Sequence, residues 1–437
     1  MTLGQPIGTI VLALLGLASR FVVSITFGES LRQRVEVTTP ISDWKRAHEA
    51  VHLLNSGLDP YSDNLFHEYP ISLQFYKIIL NYFNIDITFA LTDVFTAILL
   101  KYSVLNQMKV DNERAVNQFA TKSSNLVYLI YLFSPLTIIT SAARSTSTYT
   151  NFLIALISLI LFMKPFRAST CVLCAILACN NIHLSTIVIP IFLCQEFYSH
   201  RISQSESQSN EKQKLKYYER SDFYSSLSTS FIICLASILT LLLTSYLVMD
   251  NSWSFIRATY LYVLTVQDLT PNIGMFWYFF TEMFDHFLDF FTWVVQINAF
   301  IHVVPLSISL RDSPFFLLYV IILTSTIFQP YPNLAHIGLL TSLLPQHRHL
   351  FAHMNHGLKI SCTLITCVCL WPVFWHLWIM TGTANSNFYF GATAAFVAAL
   401  ILLLSDLLNA HNYIKAKSRF EELQKEQRSE SKVIHND

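Results

Sequence analysis

The sequence predicts an all-α, polytopic transmembrane protein, and three observations support that fold class. Hydrophobic residues make up 53% of the 437 residues, charged residues make up only 13%, and the mean hydropathy is +0.44. A soluble domain of this length could not bury so much apolar surface. The apolar residues also fall into runs separated by polar stretches, which predicts about twelve transmembrane helices in one membrane domain, 1–410.

The N-terminal part of the chain predicts one helix followed by a long loop. The first apolar run, 7–27, has no basic segment before it and no clear cleavage site after it, so we expect an uncleaved helix. The loop, at about 29–70, is polar. Within it, residues 41–55 have helical periodicity, and their apolar face is expected to lie on the membrane surface or on a neighbouring element. That face comprises Trp44, Ala47, Ala50, Val51 and Leu54.

The remaining apolar runs are predicted to be helices, several of them shorter than a full span. They lie at 71–83, 86–106, 124–141, 149–163, 170–198, 225–249, 273–305, 314–329, 334–345, 358–380 and 388–410. Three runs carry polar or helix-breaking residues, at Asp93, at Pro135 and at 180–183. The last interruption, Asn-Asn-Ile-His, is expected to split its run into two helices with a polar centre.

The distribution of Lys and Arg predicts the orientation. If the N-terminus is cytosolic and the runs alternate, most of the 28 Lys and Arg residues fall on the cytosolic side. Both termini are therefore predicted to be cytosolic. The same alternation places the first loop on the lumenal side, together with the turns at 268–274 and 382–387. The polar segments at about 199–224 and 411–437 become a flexible cytosolic loop and tail.

The stretch 268–298 carries the densest set of polar groups within an apolar run. On a continuous helix, Glu282, Asp285, His286 and Asp289 share one face with Trp293 and Gln296. Carboxylates are costly at the centre of a bilayer, so this stripe is expected to face the protein interior or a wet cavity. The stripe is either a structural set of interhelical hydrogen bonds or a substrate-facing surface. Asp268 and the turn after it are expected to bind a polar headgroup.

Known catalytic and metal-binding motifs are absent from the sequence. No nucleophile motif occurs, and the eight Cys lie in apolar runs without a completing set of ligands, so we expect no catalytic residue, no metal and no cofactor. The dipeptide His67-Glu68 is interpreted as a solvated loop pair rather than an acid–base pair. The net charge of zero, without a long basic run, argues against a nucleic-acid partner.

Six motifs resemble the PIG-U family of membrane subunits of the glycosylphosphatidylinositol (GPI) transamidase. They lie at 42–46 (SDWKR), 57–70 (GLDPYSDNLFHEYP), 268–287 (DLTPNIGMFWYFFTEMFDHF), 296–298 (QIN), 371–378 (WPVFWHLW) and 382–389 (GTANSNFY). The resemblance implies a non-catalytic subunit in the endoplasmic reticulum membrane. It also implies partner subunits, among them a separate cysteine-protease-like catalytic chain. The complex removes a C-terminal signal from a precursor protein and attaches the GPI lipid.

The resemblance further implies that this subunit helps to recognise the GPI lipid. Lumenal amides can donate to and accept from sugar hydroxyls, a carboxylate can pair with an ammonium, and Trp side chains suit the membrane interface. The candidate GPI-binding residues are Asp268, Asn272, Glu282, His286, Trp378, Asn385 and Asn387. For Asn385 and Asn387, a simple turn between two helices is the competing interpretation.

A second resemblance, to GPI mannosyltransferases of the GT-C type, supplies the alternative function. The long first lumenal loop and many-helix plan are similar to that scaffold, whose enzymes take mannose from dolichol-phosphate-mannose and place an acidic pair early in the loop. Here the corresponding region contains a single carboxylate, Asp43. The sequence therefore favours a GT-C-like scaffold used for binding.

Overall fold

The computed structural model describes residues 4–62, 64–110, 114–161, 167–196 and 215–434, and the regular structure in these ranges is helical. The chain divides into two compact units, Met1–Gln346 and His347–Asp437. The helices of the first unit are α1 (Gly4–Arg32), α2 (Trp44–Asn55), α3 (Pro70–Tyr82), α4 (Ile85–Val110), α5 (Arg114–Phe133), α6 (Pro135–Ala142), α7 (Ser147–Ile160), α8 (Arg167–Asn180), α9 (Leu184–Glu196), α10 (Leu215–Val248), α11 (Ser254–Ile256, a π-helical turn at Arg257–Leu261, and Tyr262–Thr265), α12 (Phe276–Thr281), α13 (Asp285–Ile301), α14 (Val303–Ser309), α15 (Pro314–Phe328) and α16 (Leu334–Leu343).

Fewer helices of spanning length are present than the sequence predicted. Among the described residues, six helices are long and apolar enough to cross a membrane, or seven if the bent pair Thr121–Phe133 and Pro135–Ala142 is one span. The predicted twelve included four short runs, which form helices of 10–15 residues that are too short for a full crossing: Pro70–Tyr82, Ser147–Ile160, Pro314–Phe328 and Leu334–Leu343. The chain is a multi-pass helical membrane protein, whereas twelve spans and a GT-C scaffold stay predictions.

The predicted amphipathic helix in the first loop is confirmed as α2. Its apolar face is buried, and the Trp44 ring contacts Tyr76 of α3 and Phe89 of α4 edge-on, with ring centroids 5.3 and 5.2 Å apart. Asp43 is its N-cap, because the Asp43 Oδ1 accepts from the Lys45 backbone N–H at 2.9 Å. The helix therefore packs on the protein core and not on a membrane surface.

Asp93, the acidic residue inside the α4 span, pairs with Arg20 of α1. The Arg20 Nε donates to the Asp93 Oδ2 at 2.6 Å, and the Tyr131 hydroxyl donates to Oδ1 at 2.7 Å. Arg20 also donates to the carbonyl oxygens of Gly16 and Leu132. Both charged side chains are buried. The pair ties α1, α4 and α5 together, which is the arrangement that makes ionised groups tolerable at membrane depth.

Two predicted helix interruptions are confirmed. The run 170–198 breaks between α8 and α9, where the Asn181 Oδ1 accepts from the backbone N–H groups of His183 and Leu184 at 3.0 and 3.1 Å. Pro135 begins α6 after a bend of 44° from the preceding helix. In each case a side chain or a proline lies where the backbone leaves the regular helix, as expected for interruptions in an apolar run.

The second unit contains α17 (Arg348–Phe351), α18 (Gly357–Trp375, continued by a π-helical turn at His376–Met380) and α19 (Ser386–Ile434). Asp406 of α19 accepts from the backbone N–H groups of Asn355 and His356 at 3.1 and 2.9 Å, just before α18 begins. The predicted flexible tail, 411–437, is helical as far as Ile434. The predicted loop 199–224 lies outside the described residues up to 214, and α10 begins at Leu215.

Candidate functional site

The candidate site is centred on the turn that follows α11, where Asp268 shapes its own backbone. Val266 ends the helix in the left-handed conformation, with φ 47°. The Asp268 Oδ1 then accepts from the Thr270 backbone N–H at 2.8 Å and from the Thr270 hydroxyl. An aspartate that bonds to the backbone two residues later forms an Asx turn. One carboxylate oxygen is thereby used to hold the turn.

The second carboxylate oxygen of Asp268 joins the turn to two other parts of the chain. Its Oδ2 accepts from the Tyr262 hydroxyl at 3.2 Å and lies 3.4 Å from Nη2 of Arg46 on α2. Burial alone would raise the pKa of the Asp268 carboxyl, but the hydrogen bonds from Thr270 and the charge of Arg46 hold it below its usual range. The carboxylate is therefore ionised at neutral pH.

The backbone of Asp268 is fixed by Tyr331, which lies between α15 and α16. The Asp268 N–H donates to the Tyr331 hydroxyl at 3.1 Å, and that hydroxyl donates to the Asp268 carbonyl at 2.8 Å. A single phenol thus satisfies both backbone groups of the residue. The position of Asp268 depends on segments that are 63 and 222 residues away in the sequence.

Asn272, which the sequence predicted as a headgroup ligand, is buried and its amide holds the turn. Its Oδ1 accepts from the Gly274 N–H at 2.7 Å, and its Nδ2 donates to the Thr270 carbonyl at 3.2 Å. Gly274 packs so closely on Pro332 that a Cβ there would lie 2.7 Å from the proline Cδ. Asn272 therefore acts on the site by positioning the turn, and its role in ligand binding stays a prediction.

The predicted inward-facing acidic stripe is wrong. The helix stops at Thr281 and restarts at Asp285, with Phe284 extended at ψ 137°. The side chains of α13 from Asp285 to Phe291 are exposed or half-buried on all sides, and its buried residues, Thr292, Gln296 and Ala299, all lie in its C-terminal part. The exposed side chains are Glu282, Asp285, His286, Asp289 and Trp293. Of the predicted stripe only Gln296 is buried, and its Nε2 donates to the Leu264 carbonyl at 2.6 Å.

The remaining predicted residues belong to the second unit. Trp378 lies in the π-helical turn and contacts Trp375 edge-on, with centroids 5.6 Å apart. Asn385 directly precedes α19, and its Oδ1 accepts from the Asn387 N–H at 3.2 Å, which is an N-cap bond. Both Asn side chains are exposed. The turn is thus partly structural, as the competing interpretation expected, and a role in binding for these residues stays a prediction.

His67 belongs to the site, although its sequence context gave only a weak signal. Its Nδ1 donates to the Ala258 carbonyl at 2.9 Å, and its ring stacks on Tyr262 with centroids 3.4 Å apart. Tyr262 in turn stacks on Tyr331 at 5.9 Å. Three rings from the first loop, α11 and the α15–α16 connection therefore form one stack beside the Asp268 turn. The prediction that His67-Glu68 is a solvated pair is wrong, because both residues are buried.

Glu68 points away from His67, as adjacent residues in an extended segment do. Its Oε1 accepts from the Thr146 hydroxyl at 2.6 Å, and its Oε2 accepts from the Tyr76 hydroxyl. Burial raises the pKa of the Glu68 carboxyl to about 7, although these two hydrogen bonds oppose the shift. Glu68 therefore joins the first loop to α3 and to the segment before α7, and does not form an acid–base pair with His67.

A small polar cavity adjoins the Asp268 turn. Its volume is about 40 Å³, enough for only a few water-sized groups. Side chains from the first loop, the α8–α9 break, α11, the α15–α16 connection and α16 line it, including His67, His183, Gln329, Tyr331, Asn333 and His336. Within the described ranges no group of His, Cys, Asp or Glu is arranged to hold a metal ion, so the three histidines are not a metal centre.

Comparison with known proteins identifies similar chains over most of the length. A family model described as "GPI transamidase subunit PIG-U" matches residues 14–396. The human "GPI-anchor transamidase component PIGU" is 34% identical over 405 residues, covering 88% of this chain and 89% of the human protein. The Schizosaccharomyces pombe "GPI transamidase component GAB1 homolog" is 31% identical over 397 residues, with coverages of 89% and 90%. The Saccharomyces cerevisiae "GPI transamidase component GAB1" is 26% identical over 380 residues, covering 87% of each.

Proposed function

The chain belongs to the PIG-U family of GPI transamidase components, and we propose that within this complex it recognises the GPI lipid and leaves catalysis to another subunit. We place it in the endoplasmic reticulum membrane, with both termini cytosolic as the Lys and Arg distribution indicates. Its partners are then the other subunits, including a cysteine-protease-like catalytic chain, the precursor's C-terminal signal and the lipid.

The observation that carries this proposal is the loose ion pair between Arg46 and Asp268. The two charged groups are 3.4 Å apart, longer than the 2.7–2.9 Å usual for a charge-assisted hydrogen bond. Their side chains are 29% and 21% exposed. A pair that is long and partly exposed contributes little stability. Both charges can therefore be redirected to a ligand at little cost.

A GPI headgroup has the charge pattern that this pair fits. Its phosphoethanolamine carries a phosphate and an ammonium, and its sugars carry hydroxyls. A guanidinium suits phosphate because it can donate two parallel hydrogen bonds, and a carboxylate suits an ammonium. Arg46 would take the phosphate and Asp268 the ammonium, while the Asx turn holds the carboxylate in place.

The second turn supports the proposal through its exposed amides and aromatic neighbours. Asn385 and Asn387 are exposed, and Trp378 lies in the π-helical turn before them. A similar π-helical turn, Arg257–Leu261, precedes Asp268. Isolated π turns occur often at functional sites. For the second unit taken by itself, we propose that the Asn385 and Asn387 amides bind glycan hydroxyls, with Trp378 at the boundary between glycan and acyl chains.

Substituting Asp268→Asn tests the proposal. The amide keeps an oxygen for the Thr270 hydrogen bonds but loses the negative charge, so the turn should persist while headgroup affinity falls. A hydrogen bond to a charged group is worth about 1.5–3 kcal/mol, roughly a tenfold to hundredfold loss of affinity. In cells that lack the endogenous subunit, flow cytometry should show less of a GPI-anchored reporter, while co-purification of the other subunits is unchanged.

Asp59→Asn is the matched control. Asp59 also forms an Asx turn, since its Oδ1 accepts from the Tyr61 N–H at 2.9 Å, and it lies in the same first loop as Arg46. This variant should keep full reporter display. If Asp268→Asn matches Asp59→Asn in display, or if it loses partner subunits in proportion to display, the headgroup role of Asp268 is wrong.

A further inference from the structure

The cavity beside the Asp268 turn contains polar atoms that have no hydrogen-bond partner in the described part of the chain. They are the Nε2 atom of His67, both ring nitrogens of His336, and the Nε2 of Gln329. All three side chains are at least 96% buried. Unpaired buried polar groups lower stability, so three such side chains around one cavity need an explanation.

Other polar side chains that line the same cavity have partners. Asn333 donates to the hydroxyls of Ser42 and Ser145 and accepts from the Ala335 N–H. Asn181 caps the start of α9. The unpaired atoms are therefore not the result of a loosely packed region. They belong to a specific subset of side chains, two imidazoles and one amide, whose remaining hydrogen-bonding capacity is available to a group in the cavity.

The protonation state of His67 defines the chemistry at one wall. Because its Nδ1 donates to the Ala258 carbonyl, the neutral ring has an unprotonated Nε2, which is an acceptor. Burial lowers the pKa of the His67 imidazole to about 4, so the ring stays neutral at physiological pH. Gln329 offers the opposite function, since its Nε2 is a donor. A group that satisfies both side chains must therefore donate a hydrogen bond to His67 and accept one from Gln329.

The absence of charged lining residues and the small volume of the cavity further restrict which chemical groups can bind there. Among the described residues that line the cavity there is no Asp, Glu, Lys or Arg, so a buried ion would have no counter-charge. A volume of about 40 Å³ admits one or two hydroxyl groups and excludes a complete sugar ring. Hydroxyls are neutral and each can donate and accept, which matches the imidazole and amide groups.

We propose that this cavity binds the hydroxyl-bearing edge of a neutral polyol, with His67 and His336 as hydrogen-bonding partners and Gln329 as a donor. The inference rests on the proposed function, because a glycan headgroup at the Asp268 turn is the polyol that would reach the cavity. Tyr331 connects the two, since it lines the cavity and bonds to both backbone groups of Asp268.

The test measures the thermal midpoint of the purified complex in nanodiscs. One arm compares phosphatidylinositol with phosphatidylserine, two lipids of equal charge of which only the first carries a ring of hydroxyls. The other arm adds methyl α-mannoside to phosphatidylcholine nanodiscs. A ligand that binds only the folded state raises the midpoint. Stabilisation by phosphatidylinositol alone identifies a lipid-borne polyol, and stabilisation by methyl mannoside identifies a soluble sugar. Either result supports the proposal.

His336→Leu removes two unpaired nitrogens and should abolish the polyol-induced rise, whereas the midpoint without ligand stays the same or increases. His336→Gln retains donor and acceptor groups and should preserve part of the rise, which keeps the test valid if the leucine variant assembles poorly. The control is His52→Leu, an exposed histidine on α2. An equal polyol-induced rise in His336→Leu, or no rise in the unmodified complex, shows a hydrated cavity only and overturns the proposal.

Failure of this inference is distinguishable from failure of the proposed function. If Asp268→Asn leaves reporter display normal while polyols still stabilise the complex through His336, the cavity assignment stands and the role of the Asp268 turn falls. If Asp268→Asn lowers display but no polyol stabilises the unmodified complex, the turn keeps its role and the cavity is not a ligand site.

Discussion

Replacing Asp93 with alanine is expected to destabilise the first unit severely, because it strands a buried guanidinium. Arg20 would retain only the neutral acceptors, which are the carbonyl oxygens of Gly16 and Leu132 and the Thr137 hydroxyl. The exposed fractions of the two charged side chains are 0% and 3%, so water does not replace the lost carboxylate. Removing one partner of a buried ion pair costs about 3–5 kcal/mol.

The double variant Arg20→Met with Asp93→Leu separates the pair from the packing around it. It removes both charges and replaces them with apolar groups of comparable size, which is often nearly neutral for a buried pair. The Tyr131 hydroxyl still loses its acceptor, at a cost of about 1–3 kcal/mol. The double variant should therefore be more stable than Asp93→Ala, and a coupling energy of about 2 kcal/mol should separate it from the sum of the single changes.

The assay is unfolding of the purified chain in mixed micelles titrated with sodium dodecyl sulfate. It compares the native chain with Asp93→Ala, with the single variants Arg20→Met and Asp93→Leu, and with the double variant. A matched surface change, Asp59→Ala, tests whether loss of any carboxylate is sufficient to destabilise the protein. The reasoning is refuted if Asp93→Ala costs less than about 1 kcal/mol, the range typical of exposed pairs. It is also refuted if the effects of the two single substitutions are additive.

Two further predictions concern Glu68 and Asn385. The pKa of Glu68 is raised from 4.5 in the unfolded chain to about 7 in the folded one. The contribution of Glu68 to stability is therefore greatest below about pH 4.5 and declines by about 3 kcal/mol as the pH rises to about 7. Glu68→Gln should flatten this decline in thermal midpoints measured across that range. Asn385→Ala should lower GPI attachment and raise free GPI with assembly near normal, as should Asn387→Ala. Asn385→Asp keeps the helix cap but cannot donate, so normal attachment in that variant would make Asn385 a structural cap alone.

Residues with strong local signals could be placed from the sequence. The apolar face of α2 follows from its helical spacing, and the burial of Trp44 confirms it. The interruption at 180–183 follows from consecutive Asn residues within an apolar run, whose side chains compete for backbone hydrogen bonds. Asp93 was visible as a carboxylate inside a span. Its partner Arg20 was not identified, because pairing between residues 73 positions apart depends on helix packing and not on spacing.

The errors have a common physical cause, since each assumed that a local pattern extends unchanged. A helical wheel through 268–298 requires one uninterrupted helix that packs along its whole length, but the helix breaks at Phe284 and α13 buries side chains only from Thr292 onward. Polar residues in a loop were expected to be solvated, yet His67 and Glu68 are buried by α11, α3 and the segment before α7. The sequence of the first loop did contain a signal for the burial of His67 and Glu68. The aromatic residues around this pair, Tyr61, Phe66 and Tyr69, form a buried cluster.

The construction of the Asp268 turn determines how variants of the site must be interpreted. Asp268 supplies a charge, and Asn272, Gly274 and Tyr331 fix where that charge lies. Changes at the positioning residues should lower activity and assembly together, because they disturb contacts between distant segments. A change that removes only the charge should affect activity alone. The ratio of the two effects, rather than the loss of activity itself, therefore distinguishes a residue that binds a ligand from one that holds the turn.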